Sequence, residues 1–158
     1  MSIKLKLNPK IAYFLGLFEY SYSASLDEPI IGIMSNKKEI ITEFTTIAVN
    51  ELDIEPNKIM FEHKKDFEKA YFYNSKLKKL MKRELERKLH IFKYKNEYSL
   101  NYLRGIYDAA GGIDKNGIYI INLKIDDALV MENLGIHTLQ KESKHYIINK
   151  NTFMRFIH

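Results

Sequence analysis

Cysteine is absent from the 158 residues. That excludes disulfides and thiolate metal sites, and the expectation is an intracellular, cytoplasmic protein. Long apolar runs are missing too. No uninterrupted stretch approaches the roughly 18 residues that span a bilayer, so no membrane partner is expected. The start, Met1-Ser2-Ile3-Lys4-Leu5-Lys6, is basic, but no apolar segment with a small-residue cleavage site follows it, so no secretory leader is expected. Arginine is scarce, supplying four of 25 basic residues. Lysine is a point charge suited to neutralising phosphate, whereas arginine is the better bidentate reader of guanine. GxSxG, Walker and GxGxxG signatures are lacking. The histidines (His63, His90, His137, His145 and His158) are scattered, with no HxxxH pair. Hydrolase and nucleotide-binding readings therefore have no residues to rest on.

What is present is a foldable composition, 46% hydrophobic and 13% aromatic, ample for a core. The formal charge of +5 and pI of about 9.2 permit a polyanionic partner without requiring one.

Two stretches share one shape. Tyr102-Leu103-Arg104-Gly105-Ile106-Tyr107-Asp108-Ala109-Ala110-Gly111-Gly112 reads as a helix with small residues Gly105 and Ala109 four apart, closing on two glycines. Tyr13-Phe14-Leu15-Gly16-Leu17-Phe18-Glu19-Tyr20-Ser21-Tyr22 has the same form. Aligning Gly16 with Gly105 sets Phe14 on Leu103, Leu17 on Ile106, Phe18 on Tyr107 and Glu19 on Asp108. The chain thus reads as two copies of one unit, residues 1–90 and 91–158.

The pattern around these helices predicts an α+β fold. In the first unit, Asn8 caps a helix over 9–21 with Pro9 in its first turn. Tyr22 to Leu26 and Ile30 to Met34 read as a hairpin about Asp27-Glu28-Pro29. Asn36, with Glu39 three residues on, caps a helix whose buried face carries Ile40, Ile41, Phe44, Ile47, Ala48 and Leu52. A second hairpin joins Lys58–His63 to Phe67–Tyr73. Ser75 caps a third helix to about Leu89. The order is helix, hairpin, helix, hairpin, helix. Ile91 to Asn96 connects the units without a Gly, Ser or Pro run, so it is not a flexible linker.

The second unit repeats the order in shortened form. Asn96 or Ser99 starts a helix over 99–111. Asp114-Lys115-Asn116-Gly117 turns a hairpin into a strand from Ile118 to Lys124. A helix from Asp126 to Asn133 is followed by Gly135 as its C-cap. Ile136–Lys141 and His145–Asn149 form the last hairpin, and Asn151 caps a terminal helix.

The two motif stretches resemble the LAGLIDADG motif of homing endonucleases. Leu103, Gly105, Ile106, Asp108, Ala109 and Gly111 match its first, third, fourth, sixth, seventh and ninth positions. The resemblance implies two motif helices packed side by side on a pseudo-twofold axis, with Gly16, Gly105 and Ala109 at the interface, in a monomer that is its own pseudo-dimer. It also implies a catalytic metal ion bound by an acid at each eighth position. Here those positions are Ser21 and Ala110. A serine hydroxyl is a weak neutral ligand and a methyl group is none, while magnesium requires hard oxygen donors. Tyr20 and Tyr22 add bulk where the family has small residues. Glu19 and Asp108 lie two residues earlier, rotated by about 200° on a helix, and are expected to hydrogen-bond locally. No cofactor is expected, magnesium entering only if relocated acids such as Glu19 or Asp108 sustain cleavage.

By the same resemblance, the exposed face of each unit's sheet straddles double-stranded DNA. Strand alternation places Phe67, Lys69, Tyr71 and Tyr73 on one face, with Glu68, Ala70 and Phe72 on the other. Lys69, Tyr71 and Tyr73 mix basic and aromatic groups suited to phosphates and bases. Lys141, Lys144 and His145 cluster about the last hairpin. The largest charge concentration lies elsewhere: Lys76, Lys78, Lys79, Lys82, Arg83, Arg87 and Lys88 against Glu84 and Glu86. The reading is a degenerate, non-cleaving DNA binder. The alternatives are an active nuclease, an RNA-splicing cofactor, or an interaction module whose basic helix 76–88 meets an acidic protein.

Overall fold

A computed structural model of the chain describes residues 5–158, so Met1 to Lys4 of the basic start lie outside it. Its centre is a pair of helices, α1 (Pro9–Glu19) and α5 (Glu97–Ala110). The side chain of Asn8 accepts the amide of Ile11 at 2.8 Å, and Pro9 opens the first turn. Asn96 and Ser99 form a reciprocal capping box at the start of α5, which satisfies amides that a helix end leaves free. Every residue of α1 from Ile11 to Phe18 is buried, as expected of a helix apolar on all sides. A β-carbon on Gly16 would overlap the carbonyl oxygen of Tyr102, and one on Gly105 that of Tyr13. The glycines therefore set the spacing of the two backbones, and the stretch that looked repeated in sequence is the interface between the repeats.

From α1 the chain runs through β1 (Ile30–Ser35), α2 (Lys38–Asn50), β2 (Met60–His63), β3 (Glu68–Tyr73), α3 (Ser75–Leu85) and the single turn α4 (Lys88–Ile91) to α5. After α5 come β4 (Gly111–Asp114), β5 (Gly117–Ile121), α6 (Ile125–Asn133), β6 (Thr138–Lys141), β7 (Lys144–Ile147) and α7 (Lys150–Ile157). All strand pairs are antiparallel, in the orders β1-β3-β2 and β4-β5-β7-β6. One face of each sheet is closed by helices. Phe14 stacks on Phe44 at 4.9 Å and Phe92 on Tyr102 at 4.3 Å within the shared core.

The topologies superpose β1, β3 and β2 on β5, β7 and β6, leaving β4 without a counterpart. The strand expected over Tyr22 to Leu26 does not form; the segment is a series of turns. Side chains take the backbone groups that a strand would have used. Ser23 Oγ donates to Gly32 O and accepts from Gly32 N, both at 3.1 Å. From below, Lys78 Nζ donates to the carbonyls of Ser23, Leu26 and Glu28 at 2.8, 2.9 and 2.7 Å.

Several helix limits also differ from expectation: α1 stops at Glu19 and not at residue 21, and α5 covers Glu97–Ala110 and not 99–111. Lys37, not Asn36, is the N-cap of α2, with no side-chain bond, and Ser35 Oγ accepts the Lys37 amide at 3.0 Å just ahead of the helix. Asn74, not Ser75, caps α3 through the Leu77 amide. The helix stops at Leu85 and resumes at Lys88, where it turns its lysine inward. The helix predicted to begin after Asn151 starts at Lys150, and the Asn149 side chain instead accepts the amide of His137.

Candidate nucleic-acid interface

The alternation along β3 places its residues as expected. Ala70 and Phe72 are buried beneath the sheet, and Lys69, Tyr71 and Tyr73 stand on the open face. Lys69 Nζ sits 4.5 Å above the ring of Tyr22 and 5.5 Å from that of Tyr71, with Glu62 at 3.6 Å. Tyr73 meets Tyr71 edge-on at 6.0 Å and is 53% exposed.

The other sheet carries the same arrangement. Lys144 Nζ lies 4.4 Å above the ring of Tyr119 and 2.9 Å from Asp114 Oδ2, to which Tyr146 also donates at 2.8 Å. Register makes the match specific. Tyr71 faces Gly32 and Lys69 faces Met34 across β1; Tyr146 faces Tyr119 and Lys144 faces Ile121 across β5. Lys69 thus corresponds to Lys144 and Tyr71 to Tyr146. The third ring arrives by different routes. In the second sheet Tyr119 lies over Gly112 of its neighbour strand; in the first, Tyr22 from the turn segment lies over Gly32 of β1.

These contacts fix the charge of the surface. The hydrogen bond from Lys144 holds the Asp114 carboxyl down to about 2, aided by Tyr146, and the same bond raises the lysine. Burial pushes the Tyr22 phenol up to about 12, so its ring is a neutral floor for Lys69. Each ammonium is thus held between a ring face and a carboxylate, Glu62 for Lys69 and Asp114 for Lys144.

Of the other candidates, Lys141 is exposed on the same face, opposite Lys144 across β6. His145 is not on it. It pairs with Ile120 and Gln140, so the period of two turns it to the helix side, where burial lowers its pKa. Sequence proximity to Lys144 brought it into the cluster, and strand geometry removes it.

At the ends of the motif helices, Ser21 Oγ lies 2.8 Å from both Phe18 O and Ser23 Oγ, and Ala110 offers only a methyl group. The pair does not supply the hard oxygen ligands a divalent cation needs. Asp108 keeps one local contact, with Arg104 a turn earlier at 3.8 Å; otherwise, contrary to expectation, both Glu19 and Asp108 reach far along the chain. Glu19 Oε2 pairs with Lys88 Nζ at 2.8 Å, and Oε1 pairs with Lys124. Asp108 accepts from Tyr13 at 2.6 Å, and burial leaves its pKa raised despite Tyr13 and Arg104. Tyr20 and Tyr22 stand at the helix ends, where with Ser21, Asp108 and Ala109 they line a small cavity. Tyr20 turns its hydroxyl to Asp127 at 2.6 Å, and Tyr22 lies on the first sheet.

The residues that the sequence concealed form a buried cluster beneath Glu19. Lys88 is 3% exposed and lies 2.8, 3.2 and 3.1 Å from Glu19, Asp126 and Asp127. Asp127 also accepts from Tyr102 at 2.6 Å. Burial acts to lower the Lys88 pKa, but Asp127 and Glu19 outweigh it and the ammonium is held charged. Lys88 and Lys78 counted among the cations of one exposed helix in the sequence; both are buried.

No protein-family model matches the sequence, and no curated protein does. Solved structures match the fold. The homing endonuclease I-DmoI in complex with DNA and Mn aligns with a TM-score of 0.67 at 19% identity, over 95% of this chain and 94% of that one. The N-terminal LAGLIDADG domain of WhiA aligns at 0.63 and 10% identity, over 99% of this chain and 84% of that one. Full-length WhiA from Thermatoga maritima aligns at 0.61 and 13% identity, over 99% of this chain and 57% of that one. The architecture is the LAGLIDADG fold.

Proposed function

We propose that this LAGLIDADG-fold protein binds double-stranded DNA on the open faces of its two sheets and does not cleave it. The observation that carries the reading is the paired lysine-on-tyrosine arrangement. Lys69 over Tyr22 and Lys144 over Tyr119 stand at corresponding register positions of the two sheets. A duplex presents phosphates along both strands, and a lysine seated alike on each of the two sheets suits that target. Tyr73 and the exposed Lys141 extend the surface with an aromatic ring and a further charge. I-DmoI has been crystallised with its target DNA, which agrees with a duplex as the partner.

The absence of cleavage rests on the donor set. Ser21 and Ala110 stand where the motif needs acids, and the nearby carboxylates already serve other groups. Glu19 is committed to Lys88 and Lys124, and Asp108 to Tyr13 and Arg104. A metal ion would have to displace two ammonium groups to use Glu19.

The test is fluorescence anisotropy of a random duplex titrated with protein at several salt concentrations. Affinity is expected to fall with salt, with a log–log slope of about −0.9 per phosphate neutralised, and no product is expected with Mg²⁺ or Mn²⁺ added. Absence of binding at low salt, or Mg²⁺-dependent nicking, would overturn the reading.

A further inference from the structure

Helix α3 carries the largest block of charge in the chain, and the open sheet faces do not use it. Its apolar stripe, Leu77, Met81 and Leu85, is buried in the core. Lys76, Lys79, Lys82 and Arg83 are exposed on the opposite side, and exposed Glu86 and Arg87 follow in the link to α4. Arg87 reaches Glu84 at 3.7 Å; among the described residues the other four cations make no ion pair. Like charges three and four residues apart on a helix repel, as in Lys76 with Lys79 and Lys79 with Arg83. The stripe is therefore kept against its own electrostatics.

The second unit supplies an internal control. Helix α7 follows β7 as α3 follows β3, and it buries Phe153 and Ile157 in the same manner. Its only cations are Lys150 and Arg155. The fold needs the apolar stripe at this place and does not need the charge.

We infer that the outer face of α3 is a second nucleic-acid-binding surface, one that takes the phosphodiester backbone without reading bases. From Lys76 to Arg83 the stripe runs about 10 Å at 1.5 Å per residue, a length over which one strand of B-DNA presents about three phosphates. Between Lys76 and Arg87 no large apolar side chain is exposed. A protein partner would need such anchors, since interfaces draw their energy from buried aromatic and aliphatic groups. A polyphosphate needs only the cations. Because α3 belongs to the helical layer, its cations point away from the core that the sheets cover. One molecule can therefore hold two nucleic-acid segments on different sides.

The experiment uses the full chain in three forms. The sheet variant carries Lys69→Ala and Lys144→Ala, the helix variant carries Lys76→Gln, Lys79→Gln, Lys82→Gln and Arg83→Gln, and the third combines both sets. The helix substitutions are exposed and remove repulsion, so the helix variant is expected to melt at or above the parent temperature. In anisotropy titrations of a random duplex, the sheet variant should keep salt-dependent binding. Adding the helix set should remove up to about 3.6 from the log–log slope, for four cations at 0.9 each. In a bridging assay, bead-bound duplex should retain a second, fluorescent duplex only with the parent protein. Equal slopes for the sheet and combined variants would overturn the inference. So would a helix set that abolishes binding of poly-glutamate and leaves duplex binding intact, because the partner would then be an acidic protein. Complete loss of binding in the sheet variant alone would also overturn it while leaving the sheet-face function standing. Residual binding that only the helix set removes would support it even if the sheet set proved silent.

Discussion

Gly16 and Gly105 sit against each other's helix backbones, each filling the only space the other leaves. The carbonyl oxygens of Tyr102 and Tyr13 occupy the positions where their β-carbons would stand. Gly16→Ala or Gly105→Ala must push α1 and α5 apart, and those helices carry much of the core. Overpacking typically costs about 1–3 kcal/mol, more where the obstacle is backbone. Urea unfolding should show each variant destabilised by at least about 2 kcal/mol. A variant as stable as the parent would mean the helices are not in backbone contact.

The two lysine–tyrosine arrangements should contribute equally to DNA binding. Lys69→Ala and Lys144→Ala are each expected to lower the magnitude of the salt slope by about 0.9, and the pair by about 1.8. Tyr22→Leu should weaken binding in step with Lys69→Ala, because it removes the floor beneath that ammonium. Unequal effects of the two lysines would show that the halves of the surface meet the duplex differently.

Restoring acids at the ends of the motif helices tests the reading of the lost site. Ser21→Asp with Ala110→Asp places two carboxylates at the helix ends, beside the cavity that Tyr20 and Tyr22 help to line. Calorimetric titration with Mn²⁺ should show saturable binding in the double variant and none in the parent. Failure to gain binding would point to the Lys88 and Lys124 ammonium groups beside Glu19 as the obstacle.

The cluster at Lys88 predicts a pH dependence with a definite sign. Burial holds the Asp127 carboxyl above the usual carboxylate range, with Lys88 the strongest opposing influence. Lys88→Met removes that opposition and leaves a buried carboxylate without its ammonium, a loss of about 3–5 kcal/mol at neutral pH. The folded pKa of Asp127 then rises further above its unfolded value. The native state binds the extra proton, so the variant's stability recovers as pH falls from neutrality through the folded pKa. Denaturant midpoints measured from neutral pH down to about pH 4 would test this. Parallel parent and variant curves would refute the assignment.

The elements that announced themselves in the sequence are those whose signals are local. Asn8-Pro9, Asn96 with Ser99, and Asn116-Gly117 carry their own backbone chemistry, and the alternation of β3 fixed which side Lys69 and Tyr71 occupy. What stayed hidden depends on partners distant in the chain. Tyr22 to Leu26 has the composition of a strand, and it loses that conformation to Ser23 and to Lys78, which arrives from 50 to 55 residues away. Lys88 reads as one more surface cation until α4 breaks from α3 and carries it under Glu19. His145 was misplaced by one residue of register, which is a whole face in a strand.

The rings of Tyr22 and Tyr119 occupy corresponding places from non-corresponding positions. Gly32 stands where Tyr119 does, and each ring covers a glycine of the neighbouring segment. Residue-by-residue comparison of the halves scores these sites as unrelated, although the lysine above each ring is seated alike. Likeness between the halves is therefore conserved as a location and not as an address in the chain. The ring above which the lysine sits comes from the segment after the motif helix in the first half, at Tyr22, and from the next strand in the second, at Tyr119, while its place on the sheet stays the same.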